Sequence, residues 1–137
     1  MKRILYVLLG LILVIGLAGL IIWNLPKTSI ENKSSDITIA SAELSKIYTE
    51  DENAGNTRFI DKIVAVEGTI EDISTDENGA TVFLLQGVDM TSGVLCTLDA
   101  SQTAKANTKK AGDTVKLKGK CTGMLMDVVL NKCFLLE

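Results

Sequence analysis

Residues 62–86 read KIVAVEGTIEDISTDENGATVFLLQ, and this stretch decides the fold. From its start, polar and apolar residues alternate with the period of two that is typical of a β-strand. The residues of the inward face are Val64, Val66, Gly68 and Ile70. The alternation slips before Ile73, and a β-bulge would explain the slip. Asn78-Gly79 then gives a strong hairpin signal, because both residues tolerate a positive φ. A second strand is therefore predicted over residues 81–86.

Three further strands are predicted downstream of this hairpin. In the third strand, Val94, Cys96 and Leu98 alternate with more polar neighbours. Residues 101–110 are polar and contain alanine, so they form either a short helix or a loop that crosses between strands. A fourth strand opens at Gly112-Asp113, and a fifth runs from Asp127 to Leu135. In the fourth strand one face carries Val115, Leu117, Gly119 and Cys121, and the other carries Lys116, Lys118 and Lys120.

Upstream of the strands, the pattern predicts one amphipathic helix that begins around Ser41. Leu44, Ile47 and Tyr48 follow the i, i+3, i+4 spacing of a helix face. The acidic run at 50–52 is interpreted as a solvated face or a local cap rather than a metal site, because three adjacent carboxylates on a helix point in different directions. Residues 26–39 are predicted to be a flexible stalk, and residues 40–137 the folded domain.

The N-terminal 25 residues are predicted to be a short cytoplasmic tip and a single transmembrane helix. Ile4 to Trp23 is a run of 20 residues without a charge, and such a run spans roughly 30 Å as a helix. The alternative is a cleaved signal peptide, but the apolar run is longer than a typical signal core and no small-x-small cleavage site follows it. Lys2 and Arg3 precede the span, which predicts a single-pass protein of the cytoplasmic membrane with an extracytoplasmic C-terminal domain.

The composition disfavours several classes of function. The sequence contains no histidine, which excludes zinc protease motifs and Ser-His-Asp triads and favours a noncatalytic protein without a cofactor. Omitting Lys2 and Arg3 leaves 12 of the 14 basic residues against 17 acidic ones, a net charge of −5 after the anchor. An acidic domain repels phosphates, so nucleic acid is disfavoured as a partner.

The strand pattern resembles the tRNA-anticodon-binding-like family of bacterial OB-fold proteins. Three strands, a connection and two more strands, with a glycine and a bulge in a long first strand, suit a five-stranded OB-fold barrel. The matching positions are Leu44, Tyr48, Ala54, Phe59, Val64, Val66, Gly68, Ile70, Ile73, Val94, Cys96, Gly112, Val115, Gly119, Cys121, Gly123 and Cys133. The resemblance implies a mainly β chain and a surface location, in a family of largely exported or lipid-anchored proteins without an assigned reaction. The kind of anchor does not carry over, because this chain has an apolar helix and no cysteine at its end.

The expected function is a membrane-anchored binding or interaction module for an unknown protein or small ligand. The alternative is nucleic-acid or oligosaccharide binding through the second and third strands. For that alternative, Phe83 would be a stacking platform and the three lysines of the fourth strand would form a cationic face. A core position for Phe83 and a merely solvated role for the lysines are the competing interpretations.

The three cysteines leave two interpretations open. Cys121 and Cys133 flank a turn between neighbouring strands, so they are candidates for a disulfide or, alternatively, small core residues. Cys96 is then a buried, unpaired thiol. Met124 and Met126 complete a soft cluster with the other two cysteines that could bind Cu(I), but the spacing is not that of a fixed motif and no metal site is expected.

Overall fold

The computed structural model describes residues 1–24 and 30–136. Helix α1 (Lys2–Asn24) is long and apolar enough to cross a membrane, and none of its side chains is buried against the rest of the protein. Its length follows from the apolar run, since a helix satisfies its own backbone groups without water. The predicted N-terminal helix is thus present with almost the predicted bounds.

Six strands and three further α-helices form the folded domain within the described residues. The strands are β1 (Ile37–Ala40), β2 (Ile63–Thr75), β3 (Thr81–Asp89), β4 (Ser92–Leu98), β5 (Thr114–Met124) and β6 (Val128–Leu135). The helices are α2 (Ser41–Glu50), α3 (Glu52–Phe59) and α4 (Thr103–Ala106). Strands β2, β3, β4, β6 and β5 pair in this order, and β5 pairs back with β2. This closed ring, with parallel β4 and β6, confirms the predicted five-stranded OB-fold barrel.

Strand β2 closes the barrel because it bends between two partners. Its first half, 63–69, pairs with β5, whereas 70–75 pairs with β3. The register shifts between Ile70 and Asp72, which confirms the predicted bulge. The β2–β3 hairpin is also confirmed: Asp76 Oδ1 accepts hydrogen bonds from the amides of Asn78 and Ala80, both at 2.9 Å, and Gly79 has a φ of 81°.

The core consists of the inward faces of the barrel strands together with side chains from α2 and α3. Tyr48 of α2 and Phe59 of α3 are buried at one end of the barrel, with ring centroids 6.0 Å apart. A single helix had been predicted here, but Asp51 interrupts it and caps α3 by accepting a hydrogen bond from the Ala54 amide at 3.2 Å. The local-cap interpretation of the acidic run therefore applies to Asp51.

The predicted stalk over 26–39 is wrong for its last residues. Residues 37–40 form β1, which pairs in parallel with 64–67 of β2, and Ile39 is buried. Ile30 is buried as well, and the Lys118 ammonium group donates hydrogen bonds of 2.7 Å to the carbonyls of Glu31 and Lys33. Residues 30–39 therefore belong to the domain, while 26–29 lie outside the described residues.

The connection between β4 and β5, which the sequence left open, begins as a helix. A 3₁₀ turn at Ala100–Gln102 leads into α4, and Ala106 is buried. The Gln102 side-chain oxygen accepts a hydrogen bond from the Leu135 amide at 3.1 Å, which ties this helical connection to the end of β6.

Candidate functional site

Phe83 lies inside the barrel. It pairs with Ile73 on β2 and Cys96 on β4, and its side chain has no exposed surface. A base or sugar cannot stack on a ring that solvent cannot reach. The prediction that Phe83 is a ligand-binding platform is therefore wrong, and the alternative core position is confirmed.

The outer surface of β3 and β4, the second and third strands of the barrel, is the face on which OB folds commonly bind ligands. Phe83 and Leu85 point into the core, so the alternating residues of β3 point outward. The strand registers align four outward residues in one row across the barrel, which we call the aliphatic row: Asp72, Leu84, Leu95 and Val129. Leu84, Leu95 and Val129 are half-buried, and Asp72 is exposed at one end.

Polar residues border the aliphatic row. In the next row across β2, β3 and β4, Ser74 and Thr97 flank the buried Val82, and Gln86 is exposed farther along β3. Among the described outward residues of these two rows there is no aromatic ring and no lysine or arginine. The face therefore offers an aliphatic centre with a polar border, which is the usual composition of a protein-binding surface rather than of a single-strand channel.

The three lysines of β5 lie on a different part of the barrel. Lys116, Lys118 and Lys120 do point outward, opposite the buried residues of the same strand. However, β5 is separated from β3 and β4 by β2 on one side and β6 on the other. The structure thus does not bring the lysines and Phe83 together into one site.

Two of these lysines have partners within the domain. Lys118 holds the segment that contains Glu31 and Lys33, as described above. The Lys120 ammonium group lies 3.7 Å from the Asp61 carboxylate in an exposed ion pair. The role of Lys118 is therefore to attach an N-terminal segment to the barrel, which sequence reasoning missed because the partner atoms are backbone carbonyls.

The three cysteines are free thiols, and all are fully buried. Across β5 and β6, Cys121 pairs with Leu130, so Cys133 lies three residues along the strand. The register shifts between these positions, so Cys133 lies against Gly119, two residues of β5 from Cys121. Two residues along a strand and the gap between neighbouring strands, roughly 7 Å and 5 Å, together exceed the Cα separation that a disulfide allows. Of the two interpretations left open, the Cys121–Cys133 disulfide is therefore wrong, and the alternative of small core residues holds.

Two of the thiols, Cys96 and Cys133, contact each other, and Cys121 contacts Tyr48. The Cys121 sulfur lies 3.5 Å from the Tyr48 hydroxyl, and burial followed by this contact raises the pKa of Tyr48. Burial, followed by a hydrogen bond with Cys96, raises the pKa of Cys133 well above its ordinary value. Met126 is 81% exposed while both cysteines of the proposed soft cluster are buried, so the four sulfur atoms share no site. In the described part of the chain, no group of three or more Cys, Asp or Glu side chains could hold a metal ion.

Comparison with known proteins gives a fold and a family. A "putative nucleic acid-binding lipoprotein" from Klebsiella pneumoniae is similar in structure, with a TM-score of 0.58 and 14% identity over 73% of this chain and 92% of that one. The Stn1–Ten1 complex of S. pombe gives a TM-score of 0.43 and 20% identity over 55% of this chain and 58% of the matched chain. The search of curated proteins found no significant match. The tRNA_anti-like family model matches residues 1–135. The chain, with its closed five-stranded barrel, therefore belongs to the tRNA_anti-like family.

Proposed function

We propose that this protein is a membrane-anchored, noncatalytic binding module that presents an extracytoplasmic OB domain to a protein partner. The observation that carries the proposal is the aliphatic row on the outer face of the barrel. Leu84 and Leu95 are paired directly in the register, and Val129 continues the row on β6. Half-buried aliphatic side chains at the centre of a polar surface gain free energy when a partner covers them.

The anchor is supported by α1 and by the charges around it. The helix carries an apolar run that matches the thickness of a bilayer core, and its first two residues are Lys2 and Arg3. Positive residues stay preferentially in the cytoplasm, which favours an external position for the domain. The noncatalytic assignment follows from a sequence without histidine, the commonest general base near neutral pH.

Nucleic-acid or oligosaccharide binding is the second candidate, since the family is named for its likeness to nucleic-acid-binding OB folds. OB domains that bind single strands use exposed aromatic rings and a cationic groove. Here the described rows on the outer face contain neither, and the part after the anchor has a net charge of −5. A protein partner agrees better with this chemistry.

Photocrosslinking in cells that produce the full chain tests the partner class. A benzophenone amino acid at Leu84 should give a discrete protein adduct, whereas the same group at the exposed Glu67, outside the row, should give none. Leu95→Asp should abolish the adduct because it places a charge in the centre of the row.

Labelled single-stranded DNA should show no change in anisotropy with the detergent-solubilised protein. A dissociation constant for this DNA below about 1 µM at physiological salt, with binding lost in Leu84→Glu, would instead establish nucleic-acid binding.

The anchor and its direction have a separate test. The full chain should remain in the membrane pellet after alkaline carbonate extraction, and protease added to spheroplasts should digest the domain. Release of the protein by carbonate, or protection of the domain in intact spheroplasts, would contradict the anchored or the external part of the proposal respectively.

A further inference from the structure

Three large apolar side chains of the domain are almost completely exposed at the tips of two hairpins. Met90, between β3 and β4, is 97% exposed, while Leu125 and Met126, between β5 and β6, are 89% and 81% exposed. The other exposed large apolar side chains in the described part of the domain reach only 37–44%. We call these three residues the apolar tips. They contribute almost nothing to the core, so folding alone does not explain them.

The two tips are neighbours in space. Strands β4 and β6 are parallel, with Val94 paired to Val128, so the connections that precede these strands lie side by side. The Gly93 amide donates a hydrogen bond of 2.8 Å to the Asp127 carboxylate, which joins the start of β4 to the β5–β6 connection. The apolar tips therefore form one projecting patch at one end of the barrel.

Local hydrogen bonds fix the shape of the Met90 tip. The Asp89 carboxylate accepts hydrogen bonds from the amides and hydroxyls of both Thr91 and Ser92, at 2.8–3.0 Å. These bonds lower the pKa of Asp89, with the Thr91 hydroxyl as the largest contributor. An ordered turn that holds a methionine outward, where glycine or a polar residue is usual, prepares that side chain for contact with an apolar phase.

The length of chain between α1 and the domain keeps the barrel close to a bilayer. Helix α1 ends at Asn24, and the domain is already fixed at the buried Ile30. Five residues separate them, so the distance between the Cα atoms of Asn24 and Ile30 cannot exceed roughly 20 Å. A domain of about 100 residues has a radius of gyration of about 13 Å. The tether is thus shorter than the domain is wide.

The tether also reaches the barrel beside the half of β5 that leads to the apolar tips. Ile30 lies in a cavity that Asp61, Ile63 and Lys120 help to line. The Asp61 amide bonds to the Cys121 carbonyl at 2.9 Å, three residues before β5 ends at Met124. Lys120, which also lines this cavity, lies four residues before that end, so the chain from the membrane meets the barrel on the side that leads to the apolar tips.

We propose that Met90, Leu125 and Met126 insert into the boundary between headgroups and acyl chains of the lipid bilayer and dock the barrel on the membrane. The proposal rests on the membrane anchoring proposed above. Insertion removes apolar surface from water at about 25 cal/mol per Å², and the short tether keeps the local lipid concentration high. The β2–β3 hairpin, at the other end of β2, then faces away from the bilayer.

Tryptophan fluorescence of the full chain in vesicles tests the docking. Trp23 is the sole tryptophan, so Trp23→Phe gives a silent background into which Met126→Trp is introduced. The matched control is Glu77→Trp, at the exposed tip of the β2–β3 hairpin. Both variants are reconstituted in vesicles of phosphatidylcholine and phosphatidylglycerol, with part of the phosphatidylcholine brominated on acyl carbons near the glycerol. Interfacial groups reach roughly 5–10 Å into this region. We expect quenching and a blue shift for Met126→Trp and neither for Glu77→Trp.

The remaining variants and outcomes separate docking from anchoring. Adding Met90→Glu and Leu125→Glu should abolish the quenching of Met126→Trp while the protein still floats with the vesicles. Equal emission from the two tryptophan positions in floating vesicles overturns the docking alone. A blue shift without bromine quenching overturns it in favour of contact with a second copy of this chain. Failure to float overturns the docking together with the anchor.

Discussion

Gly119 illustrates how a single missing side chain shapes the core. A Cβ atom at this position would collide with the Cys133 sulfur and would lie 3.1 Å from the Asn131 carbonyl oxygen. We expect Gly119→Ala to destabilise the domain by about 1–3 kcal/mol, the usual range for overpacking. Cys133→Ala removes the colliding sulfur, so the double variant should lose at least 0.5 kcal/mol less than the sum of the two single losses, a typical coupling for residues in contact. Denaturant unfolding of the full chain in micelles measures all three, and strict additivity would contradict the packing.

Buried acidic groups predict a loss of stability at high pH. Burial raises the pKa of Cys133 and of Tyr48 above their ordinary values of 9.0 and 10.0. In this situation the unfolded chain loses a proton that the folded chain keeps, so stability is complete below the ordinary pKa and declines as the pH rises above it. Each group contributes up to about 1.4 kcal/mol per pH unit. The free energy of unfolding, measured at increasing pH, should therefore fall from about pH 9 upward.

Two variants assign this pH dependence. Cys133→Ala should remove the part of the slope that starts near 9.0, and Tyr48→Phe the part that starts near 10.0. The readout is the slope rather than the stability itself, so a general loss from the smaller side chain does not interfere. Slopes identical to that of the unmodified chain would show that these two groups ionise equally in the folded and unfolded states.

Single-residue roles were predictable where alternation decides them and not where barrel closure does. The inward positions Val115, Leu117 and Cys121 follow from the period of two, and all are buried. Phe83 stands in the continuous apolar run Val82 to Leu85, so the sequence does not show which face of β3 the closed barrel covers. The core position and the stacking platform therefore stayed as alternatives until the structure placed the ring inside.

At the scale of elements, the attachment of residues 30–33 depends on Lys118. Its ammonium group holds the carbonyls of Glu31 and Lys33 at 2.7 Å each. Lys118→Gln removes the charge-assisted bonds, which we expect to be worth about 1 kcal/mol at this partly exposed site. Opening of the segment, and hence tryptic cleavage after Lys33, should rise roughly fivefold. Mass spectrometry of a limited digest follows that cleavage.

The matched control for this prediction is Lys116→Gln. Lys116 is on the same strand and faces the same way, but its register partner is Glu67 rather than the N-terminal segment. Cleavage after Lys33 should be unchanged in this variant. An equal increase in both variants would mean that the charge of the strand, and not the two hydrogen bonds of Lys118, holds the segment.

Long elements were predictable and short ones were not. Strand β2 has 13 residues and β5 has 11, so their alternation and the hairpin signal between β2 and β3 are unambiguous. Strand β1 has four residues, and its Ile37 and Ile39 are too few to establish a period. Helix α3 carries Asn, Gly and Thr, and its amphipathic character is weak. Both elements form because the barrel offers a strand edge and an open end to cover.

At the scale of the whole molecule, the candidate site arises from contacts between distant strands. The aliphatic row combines residues of β2, β3, β4 and β6, which only the closed barrel aligns. The apolar tips are easier to recognise in the sequence than the aliphatic row, because Met90 and the pair at 125–126 lie in stretches where turns are expected to be polar. Their adjacency nevertheless depends on the parallel pairing of β4 with β6, which sequence patterns do not specify.

The closed barrel also determines how the three thiols react. Cys96, Cys121 and Cys133 are fully buried, and all are free. Alkylation of the folded full chain should therefore label no thiol, and alkylation under denaturing, nonreducing conditions should label all three. Intact mass distinguishes these states, and a chain purified without reductant provides the stringent case. A disulfide requires a thiolate in contact with an oxidant, so burial should keep the thiols reduced even where the compartment is oxidising. A single labelled thiol after denaturation would instead demonstrate an internal disulfide, for which Cys96 and Cys133 are the pair already in side-chain contact, and would contradict the protection of these thiols by burial.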